Sequence, residues 1–192
     1  MIEVKDKLHR IMAPRLILLI GTTSEDGIKN IIPINNVTLV STDPAMVMIA
    51  VYKEWQTCAN LKTGSGFTLS VPSREHLELV WKLGAKYSGY KSGLDKNEEF
   101  NENLDNNFSE YGPVLKNAIG WLECEVINLP QGVGSNHLMA IGRIKRGFVD
   151  PKQYKEDITP IGNPKPIMQW QLNNFSEASD IFAIDYYKEP LK

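Results

Sequence analysis

Residues 15–36 read RLILLIGTTSEDGIKNIIPINN, two apolar runs joined by Ser24-Glu25-Asp26-Gly27. A Leu/Ile-rich run of strand length, a turn ending in glycine and a second run rich in β-branched residues predict an antiparallel hairpin. Working outward, residues 35–45, NNVTLVSTDPA, form a polar stretch that reads as a crossover, with Asp43-Pro44 opening the next run. AMVMIAVY, 45–52, is a continuous apolar segment expected to be buried on both faces. QTCANLKTG, 56–64, predicts a short helix closed by Gly64, and FTLSV, 67–71, a strand stopped by Pro72. From Ser73, an N-cap residue, Leu77, Val80, Trp81 and Leu83 follow at helical spacing.

Residues 84–117 are rich in Gly, Ser, Asn and charge, and read as a long excursion anchored by Tyr87, Tyr90, Phe100 and Phe108. AIGWLECEVINL, 118–129, and HLMAIGRIKRGFV, 137–149, predict two strands joined by the glycine-bearing PQGVGSN. The tail, 150–192, has little periodicity and is expected to wrap the surface or a partner subunit. Strands joined mostly by hairpins, with one clear helix, predict a mainly β chain: a closed or nearly closed, Greek-key-like antiparallel barrel with helical decoration. Residues 1–192 are expected to form a single domain with its core at about 14–149.

The composition, 42% hydrophobic and 23% charged, is that of a globular chain. A formal charge of −2 provides no basic footprint for nucleic acid. The N-terminal MIEVKDKLHRIMAPR lacks the apolar core of a signal peptide and no later run has the length of a membrane span, so a cytoplasmic location without a membrane partner is expected. Cys58 and Cys124 stand far apart with no metal-ligand spacing, which reads as two reduced, packed thiols, and no metal is expected. Nucleotide-loop, zincin and nucleophile-elbow motifs are missing, which assigns any demanding chemistry to a bound cofactor.

The order N-x-x-P-x-N-x-x-x-x-V-S-x-D-P from Asn30 to Pro44, followed by Thr57-x-x-Asn60-Leu-x-x-Thr63-Gly64-x-x-Phe67, resembles the flavin reductase-like family of FMN-binding split barrels, which includes flavoredoxin-like members. Leu122-Glu123-Cys124 and the segment from Asn136 to Ile144 resemble two further strands of that family. Ala45 replaces its usual second proline and Ser70 its common asparagine. The resemblance implies a split β-barrel, bound FMN, NADH or NADPH as co-substrate, and a homodimer with the flavin in a groove between subunits. The activity it implies is NAD(P)H-dependent reduction of flavin, or of another acceptor through bound FMN. The alternative is an FMN-bearing electron carrier that draws electrons from a protein partner, and a barrel that has lost its cofactor is a third reading.

FMN needs an apolar slot with hydrogen bonds at the polar edge of its ring, short polar partners along its ribityl chain, and donors for its phosphate. Asn35, Asn36, Val37 and Thr38 offer small side chains and backbone amides for the first two. Lys53, Thr57 and Asn60, at a strand end and the start of a short helix, are the candidates for the phosphate. On composition alone, 35–43 reads as an ordinary solvated crossover, and the resemblance turns it into a flavin site. The family's Ser-Gly loop over the flavin corresponds either to Ser88-Gly89 or to Ser92-Gly93. No residue is assigned as certainly catalytic. His137, where the family carries a histidine near the reacting face, is a candidate against the commoner role of a strand-end surface residue. Cys124 and Trp55 read as packing residues.

Overall fold

The computed structural model describes residues 3–84, 99–130, 134–156 and 162–180. The predicted hairpin is present as β2 (Leu18–Thr23) and β3 (Lys29–Ile34), paired antiparallel with Leu18 opposite Ile34 and Thr22 opposite Asn30. They belong to a seven-stranded antiparallel sheet with β4 (Val37–Thr42), β5 (Ala45–Tyr52), β6 (Gly66–Val71), β9 (Gly120–Asn128) and β10 (His137–Val149). The spatial order is β3-β2-β6-β9-β10-β5-β4. The two edge strands, β3 and β4, are therefore consecutive in sequence, joined only by Asn35 and Asn36. A twisted sheet whose edges leave from one corner curls round on itself. Leu18, Ile20, Ile34, Val47, Ile49, Val51, Phe67, Leu69, Cys124, Val126 and Ala140, from six strands, fill its interior. Val37 of β4 packs against the same cluster from the far edge.

Bulges help the sheet bend. The register of β10 on β9 shifts between Ile141 and Gly142 and again between Ile144 and Arg146. Its first half, from His137 to Arg143, pairs with β5, so one long strand bridges both sides of the barrel.

A second apolar cluster lies on the outer face of β2 and β3. Ile17, Leu19 and Ile31 are covered there by Leu79, Val80 and Leu83 of α2 (Leu77–Leu83) and by Phe100, Leu104, Leu115 and Ile167. The predicted helix thus starts after Ser73, as its cap chemistry requires, through a 3-10 turn at residues 74–76. Within the excursion, β7 (Leu104–Asp105) pairs with β8 (Val114–Leu115). Phe100 is buried, whereas Phe108 stands edge-on to Trp121 and Phe148 with centroids 4.5 and 5.0 Å away. Tyr87 and Tyr90 lie outside the described residues.

Three expectations change. The polar stretch 35–45 is mostly strand: β4 spans Val37–Thr42, and Asp43 and Pro44 make the turn into β5. β5 is not buried on both faces. Val47, Ile49 and Val51 point inward while its alternate residues are half-buried, because among the described residues no helix or loop seals that side as α2 seals β2. The tail contains order of its own: β11 (Ile167–Gln171) pairs with β12 (Asn174–Glu177) and with β1 (Arg15–Leu16), placing Arg15 opposite Gln169. Among the described residues no helix is long and apolar enough to cross a membrane.

Candidate functional site

The corner where the barrel's edges part is built by Asn35 and Asn36, both half-buried. Asn36 holds β5 through its backbone, accepting from Ala50 N–H at 2.9 Å, and its side-chain Oδ1 accepts from Arg15 Nη1 at 2.8 Å. Asn35 Nδ2 donates to Gln169 Oε1 at 2.6 Å. Val37 and Thr38 continue into β4, with Thr38 exposed and its hydroxyl 3.4 Å from Leu39 O. The four residues predicted to face a flavin ring thus lie contiguously at one seam, and the structure adds Arg15 and Gln169 to them.

The predicted phosphate residues separate into two roles. α1 (Gln56–Asn60) is fastened to the hairpin β2–β3 by two hydrogen bonds. Asn30 Nδ2 donates to Thr57 Oγ1 at 2.8 Å, and Asn60 Nδ2 donates to Thr22 Oγ1 at 3.0 Å. Thr22 and Asn30 are cross-strand neighbours, so the two bonds act as a clamp. Asn60 Oδ1 in turn accepts from Gln56 Nε2 at 2.9 Å. Thr57 and Asn60 are buried, and their side chains serve this clamp. Lys53 is exposed and donates to Ser135 O at 2.6 Å, tying the end of β5 to the segment before β10. The backbone N–H groups of Gln56 and Thr57 open the helix and have no intrahelical acceptor.

His137 lies half-buried beside Lys53's end of the barrel, edge-on to Tyr52 with centroids 5.6 Å apart. Tyr52 meets Trp55 edge-on in the same way at 5.9 Å, so Trp55 helps close the barrel end. Burial lowers the His137 pKa, favouring the neutral ring. Its Nδ1 lies 2.7 Å from Asn136 Oδ1. Cys124 is fully buried and its thiol is pushed up to about 12 by desolvation, which makes it inert packing. Burial likewise raises Cys58. Ser88 and Gly89, like Ser92 and Gly93, lie outside the described residues. Among those described, no group of three or more His, Cys, Asp or Glu is placed to hold a metal.

Arg15, Gln169, Asn30, Thr22 and Gln56 were not singled out as partners from sequence. Asn30 stood in the quoted motif, but its role becomes visible only once Thr57 is seen across from it.

A seven-stranded antiparallel sheet rolled round one apolar interior, with its two edges parting at one corner, is the split-barrel architecture. Residues 10–174 match the Flavin reductase like domain, and the chain belongs to that family. An uncharacterized protein of Pyrococcus abyssi is 28% identical over 157 residues, covering 81% of this chain and 83% of that protein. Among solved structures, an FMN-binding protein from Thermus thermophilus superposes with a TM-score of 0.77 at 19% identity, covering 96% of this chain and 98% of that one. Flavoredoxin of Desulfovibrio vulgaris (Miyazaki F) gives 0.74 at 21% identity, covering 95% and 97%. At these identities the structural matches speak for the fold.

Proposed function

We propose that the protein is an FMN-binding oxidoreductase that reduces flavin, or another acceptor through bound FMN, at the expense of NADH or NADPH. The observation that carries this reading is the seam: in a split barrel of the flavin reductase-like family, Asn35 and Asn36 hold half-buried amides at the parting of the sheet edges. Bound FMN would supply the redox chemistry that links the nicotinamide to the acceptor. The chain's own work is to bind, orient and exclude water. Asn35, Asn36, Val37 and Thr38 would line the ring edge and ribityl chain. Lys53 and the N–H groups opening α1 would meet the phosphate, with Thr57 and Asn60 holding that turn in place through Thr22 and Asn30. His137, whose charged form burial disfavours, would border the nicotinamide.

A homodimer belongs to the proposal. β4 is an edge strand of the sheet, and Leu39 and Val40 on it are 57% and 45% exposed, an edge left open among the described residues that a second copy would cover beside the seam. Equilibrium sedimentation tests this, a monomer at micromolar concentration counting against it.

The deciding experiment is a visible absorption spectrum of purified protein loaded with FMN, taken before and after each nicotinamide is added without air. The flavin band should bleach with NADH or NADPH. A band that persists with both, yet bleaches with a reduced carrier protein, would assign the chain to electron transfer instead. Protein that takes up no flavin would overturn the proposal.

A further inference from the structure

The orientation of both seam amides is forced by their partners, and those partners sit on the strand pair β1–β11. A guanidinium only donates, so the Asn36 atom that Arg15 Nη1 meets at 2.8 Å is oxygen. Gln169 donates through Nε2 to the Leu172 carbonyl at 2.7 Å, a group that only accepts. Gln169 therefore has Oε1 left for Asn35, which must answer with Nδ2, as it does at 2.6 Å. Asn36 Nδ2 keeps both hydrogens and Asn35 Oδ1 keeps its lone pairs. Neither atom has a hydrogen-bond partner among the described residues, and both side chains belong to half-buried residues.

Two consecutive residues at the seam thus carry an uncommitted amide acceptor and an uncommitted amide donor. The polar edge of a flavin ring is an imide, one N–H flanked by two carbonyls, and an acceptor beside a donor is its complement. Turning either asparagine over would set donor against donor or acceptor against acceptor, and would leave a half-buried polar group unpaired. Because Arg15 stands opposite Gln169 in the β1–β11 ladder, one strand pairing fixes both amides together.

We propose that Arg15 and Gln169 are positioning residues, through which the C-terminal hairpin holds Asn35 as acceptor and Asn36 as donor for the imide edge of the flavin. This rests on the FMN reading above, and it adds that selectivity for the ring's imide N–H is set by a segment far away in sequence.

The test compares FMN with its N3-methyl derivative, which lacks the imide hydrogen, by quenching of flavin fluorescence. Wild-type protein should prefer FMN by about tenfold, the worth of one good hydrogen bond left unmade. Gln169→Leu, which frees the Asn35 amide to turn, should bring the preference to within about twofold. Arg15→Met, which frees the Asn36 donor meant for a ring carbonyl, should weaken both flavins alike by about tenfold, while the unliganded melting temperature shows each protein folded. Arg15→Lys, which still only donates, should retain most of the affinity for both flavins. A Gln169→Leu protein that keeps the wild-type ratio, or an Arg15→Met protein that keeps the wild-type affinity, would overturn the proposal, as would wild-type protein that binds both flavins equally well. Should a variant fail to fold, the two-ligand comparison on wild-type protein still decides. No uptake of FMN by wild-type protein would instead sink the cofactor reading on which this proposal stands.

Discussion

Phe67, Cys124 and Gly142 come from three separate sequence motifs and meet inside the barrel. A Cβ on Gly142 would stand 2.6 Å from Phe67 Cζ and 3.1 Å from Cys124 Cβ, so the glycine is there to admit the phenyl ring. Gly142→Ala should cost about 1–3 kcal/mol through overpacking, read as a lower denaturant midpoint at unchanged m-value. Adding Phe67→Leu should recover part of that loss, whereas fully additive losses would show that the ring is not what the glycine accommodates. His76 is a residue of a different kind. Its Nδ1 accepts from Ser73 N–H at 3.2 Å and its Nε2 lies 3.3 Å from Lys116 O, so the neutral ring ties the start of α2 to the end of the excursion. Burial lowers its pKa below 6.5, with Glu75 at 3.7 Å partly opposing the shift. The unfolded chain therefore binds the proton more readily than the folded one. The stabilisation is whole above pH 6.5 and is lost as pH falls from that unfolded value toward the lower folded one. Replacing His76 by Gln should flatten this part of the stability-versus-pH curve; an unchanged slope below neutrality would contradict it.

Among the elements, the β9–β10 pair carries a buried carboxylate whose register partner neutralises it. Glu123, 6% exposed, faces Arg146 across the ladder, and the guanidinium reaches it twice, through Nε at 3.1 Å and Nη2 at 2.6 Å. The Arg146 bond holds the Glu123 carboxyl below its ordinary pKa. Arg146→Met should destabilise by about 1–3 kcal/mol by leaving that acid without its cation, with only the Ser109 hydrogen bond, and Glu123→Gln in the same chain should restore much of it. If the double variant is no better than the single one, the arginine acts through its packing over Phe148, 5.6 Å away, and not through charge. Such elements were legible in sequence to different degrees. The hairpin β2–β3, α2 and the two long strands showed themselves because their apolar residues recur at strand or helix period. β4 did not: its burial pattern has no fully buried residue, since an edge strand with an open outer face needs no apolar alternation. The tail hairpin was hidden behind the prolines that precede it, although alternation through 167–171 and the Leu172-Asn173 turn were present. For the site, Asn35 and Asn36 could be read as a polar pair. Their orienting partners could not, because Gln169 is 134 positions from Asn35 and arrives only through the pairing of β11 with β1.

At the scale of the whole molecule, both ends of the proposed flavin site are fastened to the same hairpin. The seam asparagines follow β3 directly, and α1 is clamped to Thr22 and Asn30 at the other end of β2–β3. A ligand spanning the two would bind the folded barrel and not the unfolded chain, so its binding energy adds to stability. At a free FMN concentration of one hundred times its Kd, the gain is about 2.7 kcal/mol. For a chain of this length that corresponds to a rise in melting temperature of roughly 5–10 °C. Lys53 and Thr57 should then behave differently. Lys53 is exposed and its Nζ bonds a backbone oxygen, so Lys53→Ala should leave the unliganded melting temperature in place and shrink the FMN-induced rise at fixed flavin. Thr57 is fully buried and receives the Asn30 amide, so Thr57→Val should lower the unliganded melting temperature as well, by leaving that amide unpaired. Thermal scans with and without FMN separate the two effects, and a Lys53→Ala protein with the full wild-type rise would move the phosphate away from this end of the barrel.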